Sequence, residues 1–182
     1  MIKIIFFLLM PVTLLSQISE DFENSPPEMW LQNKDLRWDT SSFQPINGKY
    51  SLHHIYDSPD SDHDQISLSN KILFLDSAIS TWQFKIKHGY NPSSNNNWGI
   101  FIISDRNALS MFPGEYVNGY VIGVNYKGND DLIKLWKVSS GKICTIATTD
   151  FNWQEKVGTE RAVEFEIIRN KTGTWTIKLD TS

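Results

Sequence analysis

Three strand-like runs crowded between residues 79 and 126 restrict this chain to an antiparallel β architecture. They are 79–88 (ISTWQFKIKH), Trp98–Ser104 (WGIFIIS) and 117–126 (VNGYVIGVNY), with a fourth, 131–138 (DLIKLWKV), directly after them. Turn formers separate them: Asn91-Pro92-Ser93-Ser94-Asn95-Asn96-Asn97, Pro113-Gly114 and Gly128-Asn129-Asp130. Short β-rich runs joined by such turns predict an all-β, two-sheet sandwich rather than βαβ units. No window of useful length carries a helical period, and no internal repeat or long linker divides the chain.

Alternation assigns the faces. In 79–88, Trp82, Phe84 and Ile86 share one side, and Gln83, Lys85 and Lys87 the other, as in a sheet with one wet face. Val163, Phe165 and Ile167 point inward from 161–169, and Trp175, Ile177 and Leu179 from 173–180. Trp98–Ser104 is apolar on both sides, which predicts a central, doubly covered strand. Gly119 and Gly123 share one face of 117–126, leaving room for bulky neighbours or for a ligand. Further strands are expected at 18–23, 50–56, 65–68, 71–75 and 142–148, with an Asn47-Gly48 turn before 50–56 and Trp30 and Trp38 in irregular surroundings.

The first 16 residues read as a signal peptide. Lys3 supplies the positive charge, 4–15 the apolar core, and Ser16 a small residue before the cut. The apolar core is shorter than the roughly 20 residues that span a bilayer, so no membrane span is expected in residues 17–182, which form one β-sandwich domain. The net charge of −4 and the lack of a Lys/Arg cluster argue against a nucleic-acid partner. One cysteine, Cys144, excludes an internal disulfide. Together these predict a secreted or cell-surface protein. A sandwich ending just after 173–180 leaves an open edge, from which the chain is expected to be the front part of a longer polypeptide.

Several segments together carry a resemblance. Asp21-Phe22-Glu23 precedes a Pro-Pro loop and Trp30, and Gly48-Lys49-Tyr50-Ser51-Leu52-His53-His54 follows. Then come Trp82-Gln83-Phe84-Lys85, the Asn-rich loop into Trp98, Gly119-Tyr120-Val121-Ile122-Gly123-Val124-Asn125-Tyr126, Ile133-Lys134-Leu135-Trp136-Lys137-Val138 and Gly173-Thr174-Trp175-Thr176-Ile177. Over about residues 18–180 this resembles the jelly-roll module, concanavalin A-like and laminin G-like, found in secreted multidomain Bacteroidetes proteins. The resemblance implies a jelly roll, and a structural calcium held by acidic groups near the first and last strands. It implies no particular activity. The chain departs from that pattern at its C-terminus, where the last strands are missing.

Three candidate sites emerge. Asn97, Trp98, Tyr120, Asn125 and Trp136 (with Asn95 and Asn96) combine rings that stack on sugars with amides that bond hydroxyls; for any single tryptophan the area it buries favours the core. Asp60, Asp62 and Asp64 alternate, and Asp21 and Glu23 alternate on the expected first strand, so both sets offer hard oxygens to Ca2+. A solvated acidic loop is the other reading, and Gln65 and Lys71 stand where an EF-hand needs Gly and Glu. Glu164 and Glu166 lie about 7 Å apart by strand rise, near the spacing of an inverting glycosidase. They fall on the polar side of their strand, which favours a solvated face. No G-x-S-x-G, H-E-x-x-H or C-x-x-C occurs, and His53 and His54 point to opposite faces. The expected function is a non-enzymatic binding or adhesion module for a glycan or cell-surface polymer. The alternatives are a glycoside hydrolase or lyase of the same fold and a structural spacer.

Overall fold

The computed structural model describes residues 17–23, 30–60, 62–68, 77–111 and 116–181. In chain order the strands are β1 (Trp30–Gln32), β2 (Trp38–Ser41), β3 (Ser51–His54), β4 (Ile66–Leu68), β5 (Ser80–Lys87), β6 (Trp98–Ser104), β7 (Gly119–Val124), β8 (Leu132–Ser139) and β9 (Lys142–Asn152). A single-turn helix α1 (Trp153–Lys156), β10 (Ala162–Arg169) and β11 (Trp175–Thr181) complete the fold. Every pairing is antiparallel. The strands form a four-stranded sheet β6-β7-β8-β9, a three-stranded sheet β11-β10-β5 and two small ribbons, β1-β4 and β2-β3.

The two larger sheets pack face to face. Ile122, Val124, Ile133 and Leu135 from one meet Val163, Phe165 and Ile167 from the other, all buried. Trp82, Phe84, Ile86, Trp175, Ile177 and Leu179 complete that face, as the alternation predicts. Phe165 stacks on Phe84 at 5.0 Å. Each fully buried large apolar side chain here contributes about 1.5–3 kcal/mol. The helix α1 plugs one end of the core with Trp153, 0% exposed. Asn152 caps it, its side-chain oxygen accepting from the Glu155 amide at 3.0 Å.

The four-stranded sheet carries a second small core on its other face. Val117, Val121, Trp136 and Val138 are buried there, with Phe101, Met111, Tyr126 and Ile143 against them. β8 and β9 join through Ser140 and Gly141, both at positive φ (48° and 75°), as a two-residue turn that follows the strand twist requires.

Several expectations are corrected. Residues 18–23 form no strand: Phe22 sits at φ 59°, and side chains cap the local amides, Glu20 that of Phe22 and Asp21 that of Glu23. Alternation therefore does not place Asp21 and Glu23 on one strand face. Trp30 and Trp38 lie in short strands instead of irregular chain. Trp98–Ser104 is doubly covered, by the main core through Ile100 and Ile102 and by the second core through Phe101. It is not central, since β7 is its one strand neighbour among the described residues. The space at Gly119 and Gly123 belongs to β6: a Cβ there would lie 2.2 Å from the Ile103 oxygen and 2.1 Å from the Trp98 oxygen. The expected strand at 71–75 and the signal segment at 1–16 lie outside the described residues.

Candidate functional site

The two small ribbons meet at the turn between β1 and β2, and that turn is built by side chains. The chain leaves β1, which pairs with β4, and enters β2, which pairs with β3. Among the described residues no strand neighbour bridges the change of partner, and Gln32 does it. Its Oε1 accepts from the Arg37 and Trp38 amides at 3.3 and 3.0 Å, and its Nε2 donates to the Trp38 carbonyl at 2.8 Å. Asn33 pins the near side: its Nδ2 donates to the His63 carbonyl at 3.0 Å, and its Oδ1 accepts from the Gln65 amide at 2.7 Å. The clamped turn presents Leu36 to solvent, 81% exposed, at φ 59°. Left-handed backbone costs a residue with a Cβ roughly 1–2 kcal/mol, and an exposed leucine recovers little of that by burial.

Leu36 forms one rim of an open depression of about 600 Å³, lined by Trp30, Leu31, Gln32, Asp35, Leu36 and Leu109. Leu109 comes from the chain after β6, which is tied to β4 where the Ala108 amide donates to Ser67 Oγ at 2.9 Å. Gln32 spends its amide within the turn, so Asp35 is the charged group of the lining. The result is an apolar platform with one carboxylate.

Charges brace the turn from behind. Lys34 hydrogen-bonds Asp62, and Arg37 Nη2 reaches Asp62 at 3.1 Å. Both cations lie 3.5 Å from Asp64 Oδ1, whose side chain is 7% exposed. Asp64 Oδ2 meets His54 Nε2 at 2.8 Å, and the Arg37 guanidinium lies 3.3 Å from the centre of the Tyr56 ring. The hydrogen bond from Lys34 holds the Asp62 carboxyl below its ordinary value and raises the lysine. Of the nine buried side-chain polar atoms without a hydrogen bond among the described residues, five lie in this region: Trp30 Nε1, Arg37 Nη1, Trp38 Nε1, Asp64 Oδ1 and Gln65 Oε1. Of these, Asp64 Oδ1 is still charge-compensated by the two cations 3.5 Å away.

The aromatic residues proposed from the sequence do not converge on one surface. Trp98 lies between the sheets, edge-on to Trp153 at 5.1 Å and Phe165 at 5.9 Å. Tyr120 tilts onto Trp175 at 5.0 Å on the same side. Trp136 is 0% exposed on the opposite face of the sheet. Asn125, 3% exposed, locks the β7–β8 connection: its Nδ2 donates to Asp131 Oδ1 at 2.7 Å and its Oδ1 accepts from the Asp131 amide at 3.0 Å. Asn97 is exposed and donates to the Ser94 carbonyl at 2.8 Å.

The acidic residues are likewise in use. Asp62 and Asp64 are paired as above. Glu23 Oε1 accepts from the Lys49 and Tyr50 amides at 2.7 and 3.3 Å. Asp60 is exposed. Among the described residues no group of three or more His, Cys, Asp or Glu side chains is placed to hold a metal ion. Glu164 pairs with Lys85 at 3.2 Å. Glu166 pairs with Lys178 and accepts from Gln83 at 3.4 Å; the Lys178 hydrogen bond holds it below its ordinary value. Among the described residues no helix is long and apolar enough to cross a membrane. Asp35, Leu36 and Leu109 carried one overlooked signal in the sequence: Leu36 is a lone apolar residue in the charged run Lys34-Asp35-Leu36-Arg37. Comparison with family models, curated proteins and solved structures found no match to the chain.

Proposed function

We propose that this chain is a non-enzymatic binding module of a secreted or cell-surface protein, and that it holds a glycan or surface polymer in the depression beside β1. The observation that carries this reading is Leu36, an exposed leucine fixed in left-handed backbone on the rim of an apolar platform with a single carboxylate. Sugar rings offer an apolar C–H face to such a platform and hydroxyls to a group such as Asp35. Strained residues that the surrounding structure over-determines cluster at ligand sites. The resemblance to concanavalin A-like modules concerns the fold, and the platform alone supports the ligand class.

Glycan-array binding tests it. Leu36→Gly removes the rim side chain and relieves the left-handed backbone, against a glycine entropy cost of roughly 0.5–1 kcal/mol. The variant is expected to be as stable as the parent, or up to about 1 kcal/mol more stable, and to lose binding, as is Asp35→Asn. An array blank for the parent supports the spacer reading instead. Release of reducing sugar that disappears in Glu164→Gln would establish a hydrolase.

Structural Ca2+ at Asp60, Asp62 and Asp64 is the competing use of this acidic loop. It requires Lys34 and Arg37 to release two carboxylates they already hold. The expected result is a melting temperature that neither rises with added Ca2+ nor falls with chelator. A rise, by the stabilisation that ligand binding confers, would reassign the loop as a calcium site.

A further inference from the structure

Asn-Gly occurs twice in the chain, at Asn47-Gly48 and Asn118-Gly119, and the fold treats the two in opposite ways. We infer that Asn47 is a site of spontaneous deamidation whose conversion releases the Glu23 clasp, and that Asn118 is protected from the same reaction. The chemistry is intramolecular. The Gly48 backbone nitrogen attacks the Asn47 side-chain carbonyl carbon, a C–N bond forms, and ammonia leaves. Water then opens the cyclic imide to aspartate or, through the other carbonyl, to isoaspartate. Glycine favours the step because no side chain shields its nitrogen and its backbone is free to turn.

No hydrogen bond among the described residues holds the two reacting groups at Asn47, the side-chain amide and the Gly48 N–H, and the constraint beside them is the Glu23 carboxylate over Gly48. Asn47 itself is exposed. Asn118 is held on every side. Its Nδ2 donates to Asp105 Oδ2 at 2.7 Å, its Oδ1 accepts from the Ser140 amide at 3.0 Å, and its own amide donates to Asp105 Oδ1 at 2.7 Å. Gly119 is paired in β7 with its backbone pressed against Ile103. To react, the Asn118 amide must leave two partners, and the strand must leave its ladder.

Conversion at Asn47 has a structural consequence. Glu23 holds 47–50 by accepting from the Lys49 and Tyr50 amides, and its carboxylate fills the space directly over Gly48. Isoaspartate adds a carbon to the main chain immediately before that contact, shifting both amides off Glu23. Either product adds a negative charge two residues from Lys49 and three from Tyr50, the carboxylate's partners. The clasp between 20–23 and 47–50 therefore opens with age.

Peptide mass spectrometry of the full chain, aged at mildly alkaline pH, tests this. The probes for intrinsic rates are two free peptides, one spanning 43–50 and one spanning 115–122. Asn47 in the folded chain is expected to convert within a few-fold of its peptide. Asn118 should convert at least about tenfold more slowly than its own, because it must await local opening. Denaturant should abolish the difference. An unconverted Asn47, an Asn118 that keeps pace, or a difference that survives unfolding overturns the inference. Aged protein should also become more sensitive to protease within 17–23, whereas aged Asn47→Gln should not. Equal sensitivity of the two would overturn the clasp release.

Discussion

Gly123→Ala is expected to destabilise the protein by about 3 kcal/mol or more, at the top of the usual range for overpacking. An added methyl at this position would lie 2.1 Å from the Trp98 carbonyl oxygen and 2.8 Å from Gly99 Cα. These are backbone atoms of the neighbouring strand, so no rotamer change relieves the contact. β6 must move away from β7, and it has no second strand neighbour among the described residues to hold it. Trp98 and Ile100 would leave the main core with it. A drop of this size lowers the melting temperature of a domain this large by about 6–12 °C. Gly89→Ala is the control, since a methyl there meets nothing within 4 Å. It should change stability by less than about 0.5 kcal/mol. A Gly123→Ala variant as stable as Gly89→Ala would refute the packing described for β6 and β7.

The same two glycines show how far the sequence could be read. Their shared face was legible from strand alternation, because a period of two needs only the strand to exist. What filled the face was not legible, because it depends on the partner strand's approach. The inward sets of β5, β10 and β11 were legible for the same reason: Phe165 and Trp82 sit where alternation puts them. Trp98 was harder. Both faces of its strand are apolar, and such a pattern does not distinguish a central strand from an edge strand covered above and below. Residues 18–23 failed as a strand because short acidic side chains satisfied the backbone locally, and local capping competes with a ladder. The depression as a whole leaves no mark in the sequence because it joins β1 and the turn after it to Leu109 in a distant loop. Nor does the role of Gln32, because a side chain that replaces a strand partner leaves no periodic trace.

Trp136 separates fold from function most sharply, and Trp136→Ala is expected to cost about 3–5 kcal/mol. The side chain is 0% exposed and packs in the second core with Val121, Val138 and Tyr126, whose ring centre is 5.8 Å away. Removing the indole leaves a cavity that a sheet on one side cannot collapse to fill, and the melting temperature should fall by about 6–20 °C. Trp136→Phe should lose much less. It keeps most of the apolar area, and it deletes an indole N–H that is buried without a partner, an arrangement that itself costs about 1–3 kcal/mol. Below its melting temperature the Trp136→Ala protein should bind the same array ligands with the affinity of the parent, whereas Leu36→Gly should melt like the parent and fail to bind. Loss of binding in folded Trp136→Phe, with Leu36→Gly unaffected, would move the ligand site from the β1 depression to the outer face of the four-stranded sheet.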